Sequence, residues 1–375
     1  MGRLCFLSIF TAMILTSQAQ FFLPITKDET TKQFYTTLEI GTTLKSPLNL
    51  LLDLGTNLTW LDCHKLQSLK SLHTVACDSL SCQDIPGNGC DGNSCLYQQP
   101  NPLISQNLTG RVVQDTASFY PQLSLRIFTF SCVGDNDLKG LPPAVAGVLS
   151  LSPGSSSFTK QVTSEFGLIS KLSLCLHSHG TGHFYVADNS TSPIPKTLTI
   201  MAIQSDGYLI SVQSINVEGS RLELNILVKV STVVPYTVLA TDIYNFLAQA
   251  FTLKATAMGI SKVSPVAPFK DCFDARNVAG KDMTGPNVPE IEIGLLGKTD
   301  KEVMWILHGA NTMVKVSDMV MCLAFYDGGE DMKESIVFGT HQLQDYMLEF
   351  DISSSTFGFS DSLLLHNTTC STWPS

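Results

Sequence analysis

The run with the most chemical content is Leu50-Leu51-Leu52-Asp53-Leu54-Gly55-Thr56-Asn57-Leu58-Thr59-Trp60-Leu61-Asp62-Cys63. An apolar strand delivers one carboxylate, Asp53, into a glycine-containing turn, and the chain returns as an apolar segment through Trp60. Read alone, Asp53 is a buried structural acid. The eight histidines show neither HExxH nor paired-ligand spacing, and no G-x-S-x-G elbow or phosphate-binding glycine loop occurs. Gly87-Asn88-Gly89 lies among cysteines and reads as a turn. Cys77 and Cys82 are too far apart for CxxC zinc spacing, as are Cys90 and Cys95, so these four are expected to staple one loop. No metal and no cofactor is expected.

Met1 to Ala19 has the pattern of a secretory signal: Arg3, an apolar Leu4–Leu15 core, and Ser17-Gln18-Ala19 as the cleavage site. Its removal takes Arg3 and Cys5 from the 375-residue chain, shifts the net charge from −10 to −11 and leaves ten of eleven cysteines, an even number that fits five disulfides. That acidity argues against a nucleic-acid partner and would best steer a basic one. No later run is apolar enough for a membrane span. Four acceptor sequons, at Asn57, Asn107, Asn189 and Asn367, fit a secreted glycoprotein.

The elements that must position Asp53 are short apolar runs: Phe34–Ile40, Leu48–Leu54, Arg126–Cys132, Leu198–Ile203, Tyr208–Ile215, Ile336–Phe338 and Tyr346–Asp351. Their length and β-branched content predict strands. Glu218-Gly219-Ser220 predicts a hairpin between Ser214–Val217 and Arg221–Leu224. One helix is predicted after Thr241, whose hydroxyl would cap it, with Ile243, Phe246, Leu247, Ala250 and Phe251 on one face. The polar, proline-rich stretch Asn189–Lys196 predicts a boundary between residues 20–190 and 198–375. Seven mature cysteines precede it and three follow, so full oxidation requires a bridge between halves. Cys175 with Cys370 is the expected one, and Cys272 with Cys322 the expected bridge within the second half.

The Asp53 turn resembles the first catalytic turn of the pepsin-like aspartic proteases. Ile336–Gln342, Tyr346–Asp351 and Thr356–Phe359 resemble that superfamily's closing strands, and Tyr208–Gly219 the strands before its second catalytic turn. The resemblance implies an all-β, bilobal pepsin-like double β-barrel with a few short helices. It also implies a mechanism in which two aspartates share one proton. Counting back from Tyr244 through Leu239 and Tyr236 puts the second aspartate position on Ser231, within Val230-Ser231-Thr232-Val233-Val234-Pro235. Serine cannot share that proton. Leu54 replaces the hydroxyl residue of the first turn, and Pro102, not a tyrosine, falls near the flap position of the Tyr97–Leu103 hairpin. Asp242 and Asp345 are the carboxylates that could be recruited instead, although charge–dipole stabilisation in the first helical turn accounts for Asp242.

Within that superfamily the chain is similar to a plant branch containing xylanase inhibitors, extracellular dermal glycoproteins and basic 7S globulins. The likeness rests on Leu23–Asp28, Asn49–Gly55, Trp60–Cys63, Pro235-Tyr236-Thr237-Val238-Leu239, Val303–Ile306, Gly309–Val314, Gly339–Asp345 and Phe357–Ser360. Relatives usually carry twelve cysteines, and two are lacking here around the Cys82–Cys95 loop. The resemblance implies a secreted, monomeric, proteolytically inactive protein that binds and inhibits glycoside hydrolases at the plant cell wall. A residual aspartic endopeptidase using Asp53, or a seed-globulin-like storage or peptide-binding protein, are the alternatives. His366, four residues before Cys370, matches the inhibitory histidine of the wheat-type inhibitors, where a histidine–carboxylate contact would be charge-assisted. Against that role stands a plain exposed tail histidine, beside a sequon at Asn367 whose glycan would obstruct insertion.

Overall fold

The computed structural model describes residues 21–104, 106–119, 123–187, 194–204, 206–278 and 281–372. The expected signal segment, the Asn189 sequon and most of the expected boundary lie outside the described residues. The chain is mostly β, with a pepsin-like architecture and few short helices. Phe34–Ile40 shows why these segments are strands: Phe34, Thr36, Leu38 and Ile40 turn inward while Thr37 and Glu39 face solvent.

Two matching four-strand arrangements hold the turns of interest. In the first, Ser46–Asp53 runs parallel to Gly147–Ser150, which is antiparallel to Trp60–Asp62, itself parallel to Leu123–Val133. In the second, Ser220–Val230 runs parallel to Ile336–Phe338, which is antiparallel to Thr237–Leu239, itself parallel to Phe325–Asp327. A shared antiparallel sheet joins the two halves in the order Phe21–Lys27, Thr181–Val186, Lys171–Cys175, Leu348–Asp351, Thr356–Ser360 and Lys196–Gln204. Trp305, Tyr208, Phe350, Phe357 and Phe359 are all buried in the main core.

The hairpin at Glu218-Gly219 pairs Val217 with Ser220, and both turn residues have positive φ (44° and 89°), the backbone a tight two-residue hairpin needs. The helix spans Thr241–Ala257 and buries Ile243, Leu247, Ala250 and Phe251, with Phe246 only partly covered. Its start corrects one expectation. Ala240 is the N-cap, and Thr241, already helical, donates its hydroxyl proton to Asp327 Oδ1 at 2.7 Å. The charged acceptor on the neighbouring strand outcompetes the helix's own amides. All ten described cysteines are paired: Cys63–Cys132, Cys77–Cys90, Cys82–Cys95, Cys175–Cys370 and Cys272–Cys322. Cys175–Cys370 alone links the two halves, across 195 residues of sequence.

Candidate functional site

Asp53 ends its strand on the floor of a cavity of about 530 Å³. Ser231, the first residue after Ser220–Val230, lines the same cavity, with Gly55, Asn57, Tyr97, Pro102, Asp206, Lys229 and Val233. The turns meet through one threonine. Thr232 donates its hydroxyl to the Leu52 carbonyl at 2.7 Å and accepts the Leu54 amide at 3.2 Å, so it spans the first turn on both sides of Asp53. Leu54, buried and apolar, has no hydroxyl with which to return the interaction.

The Asp53 carboxylate is held from its own turn. Gly55 N–H donates to Oδ1 at 2.7 Å and the Thr56 hydroxyl to Oδ2 at 2.5 Å. Burial pushes its pKa above the ordinary carboxylate value, and the two hydrogen bonds and the positive charge of Lys229 offset only part of that shift. Lys229 lies beside the two glycines that make room for it: Cβ atoms at Gly207 and Gly55 would come within 3.2 Å of its Cε and 3.6 Å of its Nζ. Among the described residues Lys229 has no ion-pair partner, and no other carboxylate hydrogen-bonds Asp53.

The second turn is tied differently. Ser231 Oγ accepts the amides of Val233 and Val234 at 3.3 and 3.4 Å, so the hydroxyl is absorbed by its own backbone. Val233 and Val234 pack into the apolar cluster of the first half around Leu51, Trp60 and Val148. Gln33 Nε2 donates to the Val233 carbonyl at 2.9 Å. Apolar packing thus fixes the second turn.

Other expected residues lie elsewhere. Pro102 lines the cavity beneath the hairpin formed by Ser94–Pro100 and Asn107–Phe119. Tyr97 of the same hairpin reaches it as well, its hydroxyl bonded by the Leu58 and Asn57 amides and its pKa raised by burial. Asp242 and Asp345 correct the idea of a recruited carboxylate, since neither lines the cavity. Asp242 is exposed in the first helical turn, and its Oδ1 accepts its neighbour's amide. Asp345 is buried beside His177 (3.2 Å), where it also accepts the Cys370 amide. His366 ends a short 3-10 turn, Leu363–His366, and is exposed, followed by Asn367 in the left-handed conformation. Asn107 and Asn367 are exposed and Asn57 is half-buried.

Sequence reasoning missed Tyr97, Lys229 and Thr232 as parts of this site. Lys229 was discoverable, since two residues before Ser231 on a strand means the same face. No group of described histidines, cysteines or acids is arranged to hold a metal.

Two family models cover most of the chain: xylanase inhibitor N-terminal over residues 34–186 and xylanase inhibitor C-terminal over 207–361. The chain is 31% identical to a probable aspartic proteinase GIP2 from Nicotiana benthamiana, across 98% of this chain and 95% of that protein. It is 35% identical to gamma conglutin 1 from Prunus dulcis, across 82% and 75% of the two chains. Among solved structures it resembles that titled edgp, with a TM-score of 0.87 and 29% identity over 94% of this chain and 97% of that one. An aspartic proteinase from Irpex lacteus aligns with a TM-score of 0.66 at 14% identity, over 94% and 100% of the two chains, which is a likeness of fold.

Proposed function

The chain belongs to the xylanase-inhibitor family, built on the pepsin-like fold, and from that premise we propose that it is a secreted, proteolytically inactive glycoprotein that binds and inhibits cell-wall-degrading glycoside hydrolases. The observation that carries the proposal is the pair Asp53 and Ser231 on one cavity floor. A buried carboxyl with raised pKa and no second carboxylate hydrogen-bonded to it among the described residues cannot split a shared proton into an acid and a base. A rigid β scaffold then presents its loops to a hydrolase cleft at low ordering cost. Xylanases and xyloglucan-specific endoglucanases are the target classes.

The protein acts as a monomer through exposed loops, and His366 is the contact residue that meets the hydrolase's carboxylates. Titrating the secreted protein into a panel of xylanases and xyloglucan-specific endoglucanases tests this. Stoichiometric loss of hydrolysis, weakened by His366→Ala, is expected. Full activity across the panel would overturn it.

Two other readings each have an observation behind them. The relative named a probable aspartic proteinase favours a residual endopeptidase at Asp53; acid-stimulated, pepstatin-sensitive cleavage abolished by Asp53→Ala would identify it. The conglutin relatives favour storage or peptide binding, which accumulation in seed bodies would reveal.

A further inference from the structure

Asn57 lies on the wall of the cavity that holds Asp53, within an intact Asn57-Leu58-Thr59 sequon. Its Oδ1 is buried without a hydrogen-bond partner, and the residue is half-exposed on that wall. The described sequons at Asn107 and Asn367 are exposed and line no part of this cavity.

We propose that Asn57 carries an N-linked glycan whose first sugar occupies the cavity above Asp53, so that the protein's own carbohydrate closes the cleft. The space, about 530 Å³, is in the usual range of small-ligand sites, roughly 300–1,000 Å³. Tyr97, Gln98, Gln99 and Lys229 line it, and their ring, amides and ammonium are groups suited to a hexosamine's hydroxyl and acetamido oxygens. Transfer forms a bond between Asn57 Nδ2 and the anomeric carbon of the sugar. It breaks that carbon's bond to the pyrophosphate of a lipid-linked oligosaccharide, which leaves with the bonding electrons, and Nδ2 gives up one proton. The fold dates the event. Thr59 is fully buried and its hydroxyl accepts the Ser150 amide, so the sequon is readable only before this half closes. The closure stands independently of which hydrolase is bound, and it places any partner surface outside the cleft.

The test uses the chain secreted from a eukaryotic host. Enzymatic release of N-glycans in heavy-oxygen water, followed by peptide mapping, is expected to mark position 57 as labelled aspartate; an unmodified Asn57 overturns the proposal. Closure is read separately by reductive methylation of Lys229. Methylation is expected to be several-fold faster in Asn57→Gln than in the wild type, and unchanged in Asn367→Gln. Equal rates in Asn57→Gln and wild type would overturn closure even with the glycan present. Should Asn57→Gln fail to be secreted, trimming the wild-type glycan to its first sugar must keep Lys229 protected relative to a folded chain made without glycans, and loss of that protection would sink the idea equally.

Discussion

The turn after Ser46–Asp53 and the turn after Ser220–Val230 end strands with the same parallel and antiparallel neighbours, yet they are fixed by different forces. In the first, a carboxyl is held by an amide and a hydroxyl, and the charge of Lys229 is nearby. In the second, a serine is satisfied by two backbone amides and two valines dock into apolar packing across the interface. Equal topology therefore does not carry equal chemistry: the strand framework survives when the side chain at its tip is exchanged, because the framework's stability lies in pairing and burial behind the tip.

The sharpest way to break this contrast is to make the second turn like the first. Ser231→Asp places a second carboxylate in the cavity without a turn glycine, where the one lining cation among the described residues, Lys229, already acts on Asp53. Stability at neutral pH is expected to fall by about 3–5 kcal/mol, the cost of an uncompensated buried charge, with recovery in acid and no gain of proteolysis. Thermal melts at several pH values and a casein digestion assay check both parts; acid-dependent cleavage would refute the idea that apolar packing has closed this turn to catalysis.

A buried histidine near the second turn responds to acid. His341, in the short helix Thr340–Leu343 of the second half, is pushed down to about 4 by burial, with the charge of Lys27 adding to the effect. A base whose folded pKa lies below its unfolded value contributes stability above that unfolded value, and the contribution is lost as pH falls from about 6.5 toward 4. About 3 kcal/mol is at stake, from 1.36 kcal/mol per pKa unit. His341→Gln should flatten the acid limb of a stability–pH curve, measured by denaturant unfolding.

Thr232→Val should cost about 2 kcal/mol by orphaning the Leu52 carbonyl and the Leu54 amide, read as faster hydrogen exchange at Leu54. Asp53→Asn should have the smallest effect and the opposite sign from His341. An acid with a raised folded pKa favours the fold at pH values below its unfolded pKa, and that stability is lost as pH rises through the folded pKa. The asparagine variant should therefore gain stability relative to the wild type as pH rises above the ordinary carboxylate range, with no such gain in strong acid. A uniform gain at all pH values would show that packing, not ionisation, is responsible.

Much of this was legible in the chain because it is local. Phe34–Ile40 alternates cleanly and appears as the strand it spells; Glu218-Gly219 dictates its hairpin; the Asp53 motif lies on consecutive residues. What was not legible depends on partners far away in sequence. Thr241 looked like a cap because nothing nearby reveals Asp327, 86 residues on, as the stronger acceptor. Thr232 looked like an ordinary turn residue because its bonds reach back 180 and 178 residues to Leu52 and Leu54. Tyr97 was passed over because hairpin length, not residue type, sets which side chain reaches the cavity.

The bridge from Cys175 to Cys370 has a consequence for biosynthesis. Its two partners lie 195 residues apart in sequence, so in an oxidising compartment Cys175 waits for its native partner until the last segment has emerged. The shared sheet waits for the same moment, since Leu348–Asp351 and Thr356–Ser360 are inner strands of it. A chain that stops short therefore keeps both an exposed sheet edge and a reactive sulfur, the two marks by which an oxidising compartment can recognise and retain an unfinished product.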